Sequence, residues 1–365
     1  MSKKVYFGTS AARRVKRIYL GIGGMARKVR RAYIGVEGVA RACLGSGAPV
    51  HAGLAEPLGD PAWLCAAAHA GERLLFGGGS SQVNGAFRAT VTAYDAHLTK
   101  TAAQDLSTSR QEVAGASLGE MALFAGGDTG SRYQDGVDVY DAALTRTMAY
   151  LYSARSKMAA GTLAGRAVFA GGYGGGSQTA VDLFDAALTR TTMQLKTARY
   201  HCAGAVTGNY FLVAGGASTV KSVEVFDQSF TRTAADDLSV GRYAMQGLTH
   251  MGRAMIVGGW GESGAVDVYD ESLTHWVLPA CSEVKGFSRG AALENFAIFH
   301  GGRDNNWGIH ADTVVFDESF TAAPGPALSA QRWGEGAGTV GGYALFAGGG
   351  SSSAAAATVD IFTLE

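Results

Sequence analysis

With 365 residues and 47% apolar side chains, the chain has material for one large core or two ordinary ones, and no apolar run nears the roughly 20 residues of a membrane-spanning helix. The opening MSKKVYF is not followed by the continuous apolar segment of a secretory leader, and the four cysteines (Cys43, Cys65, Cys202, Cys281) lack CxxC spacing, so a protein made in the cytoplasm with neither a disulfide framework nor a zinc site is expected. The zero net charge is a cancellation: residues 1–44 carry eleven basic side chains against Glu37 alone, a surplus of +10, and the rest of the chain carries −10, which predicts two modules with different partners.

The first module, residues 1–44, contains a short repeat: KKVYFGTSAARR (3–14), KRIYLGIGGMARK (16–28) and RRAYIGVEGVARA (30–42). Tyr6, Tyr19 and Tyr33 are each followed by glycine two residues later and then by Ala-Arg. Alternation around Gly23-Gly24 and Glu37-Gly38 predicts small β-hairpins with two-residue turns. Isolated hairpins are marginal, so the module is expected to need a partner or a homo-oligomer. Its charge would permit phosphate neutralisation, but the basic residues sit at the ends of each repeat, so nucleic acid is not the expected partner. These Tyr-x-Gly…Ala-Arg units resemble repeats at the start of tail and fibre proteins of phages and prophages of Gram-positive bacteria. That resemblance implies a virion or phage-tail location and attachment to tail or virion proteins.

After a linker near Leu44–Gly47, the second module, residues 45–365, is built on a glycine doublet after an apolar run, as in VFAGGYGGG (168–176). Such a loop could cradle a phosphate, yet the signal occurs seven times, without Lys-Ser or Lys-Thr and without a following helical pattern. The first glycines, Gly78, Gly126, Gly171, Gly215, Gly258, Gly301 and Gly348, are spaced by 48, 45, 44, 43, 43 and 47 residues. Each doublet is followed by an alternating run such as VDVYD (137–141) or VEVFD (223–227), and then by LTRT (144–147 and 188–191) or a variant of it. A period in the forties with short strand patterns predicts propeller blades of four strands. The module resembles the kelch repeat, although the Trp that usually starts the outer strand is present only as Trp276. The fold class is therefore all-β: a seven-bladed kelch-type β-propeller plus the N-terminal hairpins. The last copy lacks an outer strand, and PVHAGLAEPLG (49–59) resembles one, so an N-terminal strand is expected to close the ring.

From each aromatic-Asp signature to the next doublet the chain uses 30 or 31 residues, whereas from doublet to signature it uses 12 to 17. The variation falls in the loop between the second and third strands, on the face where a new inner strand begins, and that face is the expected binding surface. Sixteen residues before each doublet lie Ala62, Arg110, Arg155, Arg199, Arg242, Lys285 and Arg332. In kelch-repeat proteins an arginine at this place often borders the central cavity and contacts ligands, so Arg110, Arg155, Arg199, Arg242, Lys285 and Arg332 are expected to take carboxylate or phosphate groups, the alternative being packing between blades. Tyr200, Tyr243 and Trp333 follow three of these arginines, and the variable loops add Tyr173, Trp260 and Trp307, suited to stacking on sugars.

Some kelch-containing propellers are copper radical oxidases, but none of the eight histidines forms an HxH or HxxxH pair, so no metal, cofactor or catalytic residue is expected. The terminal Asp of each VDVYD run reads as a turn cap. The expected function is non-catalytic adhesion: the hairpins attach or oligomerise the protein, and the propeller face binds a cell-surface glycan or protein receptor. The alternatives are a protein-binding scaffold of a virion or tail and, third, a copper-type oxidase.

Overall fold

The computed structural model describes residues 47–365 except 82–84, 218, 262–263 and 352, together with the backbone of residues 18–22, 25–29, 33–36 and 39–42. The chain divides into two compact units, Met1–Ala48 with Leu364–Glu365, and Pro49–Thr363. No helix occurs among the described residues.

In the N-terminal unit, Ile18–Ile22 pairs antiparallel with Met25–Val29, and Tyr33–Val36 with Val39–Ala42. Ile22 pairs with Met25 and Val36 with Val39. The expected first repeat (3–14) and both predicted turns lie outside the described residues.

The second unit is a β-propeller of seven antiparallel four-stranded blades, as the repeat predicts. Blade 3 shows the logic: Ala159–Leu163 lies innermost, followed by Arg166–Ala170, Gln178–Phe184 and the outer Arg190–Arg199. Inner strands are rich in Ala and Gly because they crowd around the axis; a Cβ on Gly204 would sit 2.8 Å from the carbonyl oxygen of Ala160 in the neighbouring blade. The two middle strands are buried on both faces, which explains their nearly unbroken apolar runs. Between them aromatic pairs recur, such as Phe169 against Phe184 and Phe124 against Tyr140, with ring centres 6.1 and 5.9 Å apart. Each such ring contributes about 2 kcal/mol of burial.

The terminal Asp of each signature caps the next turn. Asp141 Oδ1 accepts from the N–H groups of Ala143 and Thr145, and Asp185, Asp227, Asp270 and Asp317 repeat the arrangement. The Leu of LTRT turns back in the left-handed region, with φ 64° at Leu144 and 60° at Leu188.

The ring closes with Pro49–Leu54 as the outer strand of blade 7, beside Val359–Leu364. The sheet whose first three strands come from the C-terminal end of the chain is completed from the N-terminal side, and no blade is left with three strands.

Candidate functional site

The site is assembled from three successive residues in the connection that leads into each inner strand. The first is the arginine position. Arg110, Arg155, Arg199, Arg242 and Arg332 are wholly or almost wholly buried, and each guanidinium meets an acid on the third strand of its own blade. Nη2 to carboxylate distances are 2.5 Å (Arg110–Asp138), 2.6 Å (Arg155–Asp182), 2.9 Å (Arg199–Glu224) and 2.6 Å (Arg242–Asp267), and Arg332 pairs likewise with Asp360. The guanidinium also donates to carbonyls of the second strand and of the doublet that follows it, as Arg155 does to Phe169 and Gly171.

The expectation that these arginines form a ligand-facing ring is corrected by this geometry. Each guanidinium is held by an acid of its own blade, and a side chain with almost no exposed surface cannot meet a ligand. Lys285, in blade 6, is half-buried and donates to the carbonyl of Ser282. The aligned acid position there is Val314, and in blade 1, where the arginine is Ala62, it is Thr92. Arginine and acid are present or absent together.

The acid has a second function that its repeat position alone does not reveal. The outer-strand basic residue of the LTRT element approaches from the other side: Arg146 lies 3.2 Å from Asp138, Arg190 3.6 Å from Asp182 and His275 2.8 Å from Asp267. In blade 7 the same place is taken by His51 of the closing strand, 2.6 Å from Asp360. Burial pushes Asp360 up, but Arg332, the Ser329 N–H and His51 outweigh it and hold the carboxyl below its ordinary range.

In six of the seven blades the glycine doublet joins the blade to the next. The second glycine donates its N–H to the backbone carbonyl of the following blade's arginine: Gly79 to Arg110, Gly127 to Arg155, Gly172 to Arg199 and Gly216 to Arg242. In six of the seven doublets both glycines adopt positive φ, 65° and 114° at Gly171 and Gly172, which is why the doublet is repeated.

One residue beyond the arginine, the chain pairs with the start of the variable loop. Ser156 bridges Tyr173, Tyr243 bridges Trp260, and the N–H of Ala217 donates to Tyr200. This brings the two segments onto one face and gathers the expected aromatics. Tyr133, Tyr173, Tyr200 and His201 follow one another at ring spacings of 5.6, 4.9 and 5.5 Å. His201 continues to Tyr243 at 6.3 Å and Phe287 at 5.4 Å, and Phe287 to Trp260 at 6.4 Å and Trp333 at 5.0 Å. Trp260 then meets Trp307 at 5.2 Å. The Arg303 guanidinium lies 4.1 Å from the Trp307 ring centre and 4.9 Å from that of Trp333. Trp307 is 61% exposed. Its loop is braced by Asp304, whose Oδ1 accepts from the N–H groups of Asn306 and Gly308 while Oδ2 meets His310 at 2.8 Å. Trp333 differs: it is buried against Trp63, 4.4 Å away.

The third position surrounds the channel. Leu64, Glu112, Lys157, His201, Ala244, Phe287 and Gly334 all have φ between 50° and 71°. Their backbones hydrogen-bond around the axis, Leu64 to Gly334, Glu112 to Leu64, His201 to Lys157, Ala244 to His201 and Phe287 to Ala244. Sequence reasoning missed this ring, since nothing in the residue types marks a shared left-handed conformation. The one available signal was a position two residues past the arginine that varies while its neighbours repeat. Glu112 and Lys157 pair at 3.4 Å, and the Lys157 ammonium lies 5.7 and 5.9 Å from the Tyr173 and Tyr200 ring centres. Burial, with Lys157 and Arg289 adding like charge, pushes the His201 imidazole down to about 3 and keeps it neutral. Inside the ring a cavity of about 250 Å³ runs between the inner strands.

Among the described residues no group of three His, Cys, Asp or Glu side chains that could hold a metal ion is brought together. Cys65, Cys202 and Cys281 are buried and unpaired with one another, and burial pushes each thiol up to about 11, away from nucleophilic reactivity.

No protein-family model matches the sequence, and no curated protein is significantly similar to it. Among solved structures, a fungal alcohol oxidase of the AA5 family, in complex with copper, superposes with a TM-score of 0.67 at 14% identity, covering 88% of this chain and 76% of its own. YjhT superposes with a TM-score of 0.55 at 10% identity, covering 86% of this chain and 100% of its own. At these identities the likeness is one of fold, and the chain is a seven-bladed β-propeller.

Proposed function

We propose that the protein is a non-catalytic adhesion protein of a phage or prophage tail, which captures a cell-surface glycan on the channel face of its propeller. The observation that carries this reading is the aromatic belt, which ends in the exposed Trp307 beside Arg303, Asn305 and Asn306 on a braced loop. A flat ring next to amide and guanidinium donors is suited to stacking on a sugar face while binding its hydroxyls. The N-terminal Tyr-x-Gly…Ala-Arg repeats support the tail assignment and a homo-oligomer, in which several weak propellers gain avidity.

A glycan-array screen of the full-length protein beside Trp307→Ala tests the reading. Binding that disappears in a variant with unchanged cooperative unfolding supports it, and a wild-type protein that binds no glycan overturns it. The second reading, a protein-binding scaffold, is favoured by Tyr150 and Tyr152, which stand exposed where the outer strand of blade 2 leads to blade 3.

A further inference from the structure

The tier of residues just inside the mouth breaks its own pattern at one place. Four residues past the arginine position, blades 1 to 4 carry Ala66, Ala114, Ala159 and Ala203, and blade 7 carries Gly336. The adjacent blades 5 and 6 carry Gln246 and Arg289 instead, and both line the central cavity. Small residues in the other blades leave the space that these two long side chains enter.

Among the described residues Arg289 is the one guanidinium lining the cavity, and no carboxylate lies within ion-pair distance of it. Its Nε donates to the backbone carbonyl of Glu335 at 3.0 Å and Nη1 to that of Ser288 at 3.1 Å, while Nη2 donates to no described residue. It forms no ion pair among the described residues. The acids that act on it from further away lie nearer to other basic groups, Glu335 to His300 at 2.9 Å and Glu112 to Lys157 at 3.4 Å. Each of the five buried arginines of the ring, by contrast, has its own carboxylate. Arg289 is half-buried, and a guanidinium partly withdrawn from water is costly unless it is paired; two carbonyl acceptors offset only part of that cost. Arg289 also reaches toward the axis, since its charge acts on Cys65, Glu112 and His201 from three other blades. His201, being neutral, brings no second net charge into the cavity.

We propose that the central cavity is an anion site in which Arg289, beside Gln246 and with Lys157 at the rim, receives the oxyanion of the bound ligand, so that the sugar taken at the mouth is an acidic one. The sugar half of this inference rests on the glycan reading above, and the charge half on Arg289 alone. A guanidinium accepts carboxylate and phosphate in the same forked geometry, so a uronate and a sugar phosphate share the chemistry.

The test is a calorimetric titration of the full-length protein with glucuronate, glucose 6-phosphate, glucose and inorganic phosphate, repeated on Arg289→Gln and Trp307→Ala. At least one acidic sugar is expected to bind about tenfold or more tighter than glucose, the gain of a charge-assisted pair, and Arg289→Gln is expected to bring it to the glucose level. Preference for glucuronate assigns a carboxylate, and preference for glucose 6-phosphate a phosphate. If glucose binds as tightly as both acidic sugars, the anion site is overturned and the glycan reading stands. If inorganic phosphate binds, loses affinity in Arg289→Gln and keeps it in Trp307→Ala, while no sugar binds more tightly than phosphate, the anion site stands without the glycan. Absence of binding by all four probes overturns the anion site. Should Arg289→Gln fail to unfold cooperatively, the wild-type comparison of acidic with neutral sugar still decides.

Discussion

Arg155 Nη2 lies 2.6 Å from Asp182 Oδ2, and neither side chain has solvent-accessible surface. The pair binds the start of an inner strand to the third strand of the same blade, and Arg155 also accepts at its own carbonyl the N–H of Gly127 from the preceding blade. One residue therefore fixes a blade internally and joins it to its neighbour. Its removal leaves the buried Asp182 without its close partner, with only the looser Arg190 at 3.6 Å to offset the charge. Arg155→Ala is expected to cost about 3–5 kcal/mol, while the double variant Arg155→Met with Asp182→Leu, which removes both charges, recovers most of that loss. Urea midpoints of the two variants check this; equal losses would refute the pairing account.

Much of this scaffold was legible because the repeat exposes it seven times over. The doublets marked the second strands, the aromatic-Asp runs the third strands and their caps, and PVHAGL the closing strand. The arginines were legible as a set but not in their role, because a single repeat position cannot say what it faces. The answer lay in the second residue of VDVYD, which is acidic wherever the arginine is present and is Thr92 or Val314 where it is Ala62 or Lys285. The left-handed ring escaped because seven dissimilar residues adopt one backbone conformation through tertiary hydrogen bonding, which overrides their individual preferences. Arg289 escaped because its significance is a contrast with alanines in other blades.

The doublet glycines and the hairpin glycines both have positive φ, yet they should respond very differently to a side chain. Gly165, with φ 68°, has nothing within 4 Å of where a Cβ would lie, so Gly165→Ala pays only the left-handed strain, about 1 kcal/mol. A Cβ on Gly126, with φ 61°, would overlap the carbonyl oxygen of Arg155 and the Met158 side chain. Gly126→Ala is therefore expected to lower the melting temperature several-fold more than Gly165→Ala, or to yield no folded protein. Thermal unfolding of the two variants, side by side, separates strain from steric clash.

His201 makes stability depend on pH below the ordinary histidine range. Its folded pKa is pushed down to about 3 by burial, with Lys157 and Arg289 adding to the effect, whereas an unfolded histidine titrates near ~6.5. Between those values the unfolded chain binds a proton that the folded chain refuses, so stability falls as pH drops through the window, by up to about 1.4 kcal/mol per pH unit. His250, lowered chiefly by burial, acts in the same direction. Asp267 and Asp360 are also lowered in the folded state, so their stabilising charge is lost only further down, as pH falls below the ordinary carboxylate range. Urea midpoints measured from about pH 6.5 to about pH 4.5 should decline for the wild type and decline less for His201→Asn. An identical slope in the two proteins would remove His201 from the account.

Trp307 and Trp333 flank the same guanidinium, yet they belong to different parts of the protein's economy of surface and core. Trp333 is 5% exposed, packed on Trp63 and Phe287, so Trp333→Ala opens a cavity and is expected to cost about 3–5 kcal/mol. Trp307 is 61% exposed, and its loop is held by Asp304 rather than by the indole, so Trp307→Ala should change stability by less than about 0.5 kcal/mol. Trp307 meets Trp260 and Arg303, yet most of this large side chain stays in water. The proposed ligand binding would account for that exposed surface, and the two variants divide the possibilities. Loss of binding in Trp307→Ala at wild-type stability assigns the indole to recognition, whereas a stability loss matching that of Trp333→Ala would return it to the core.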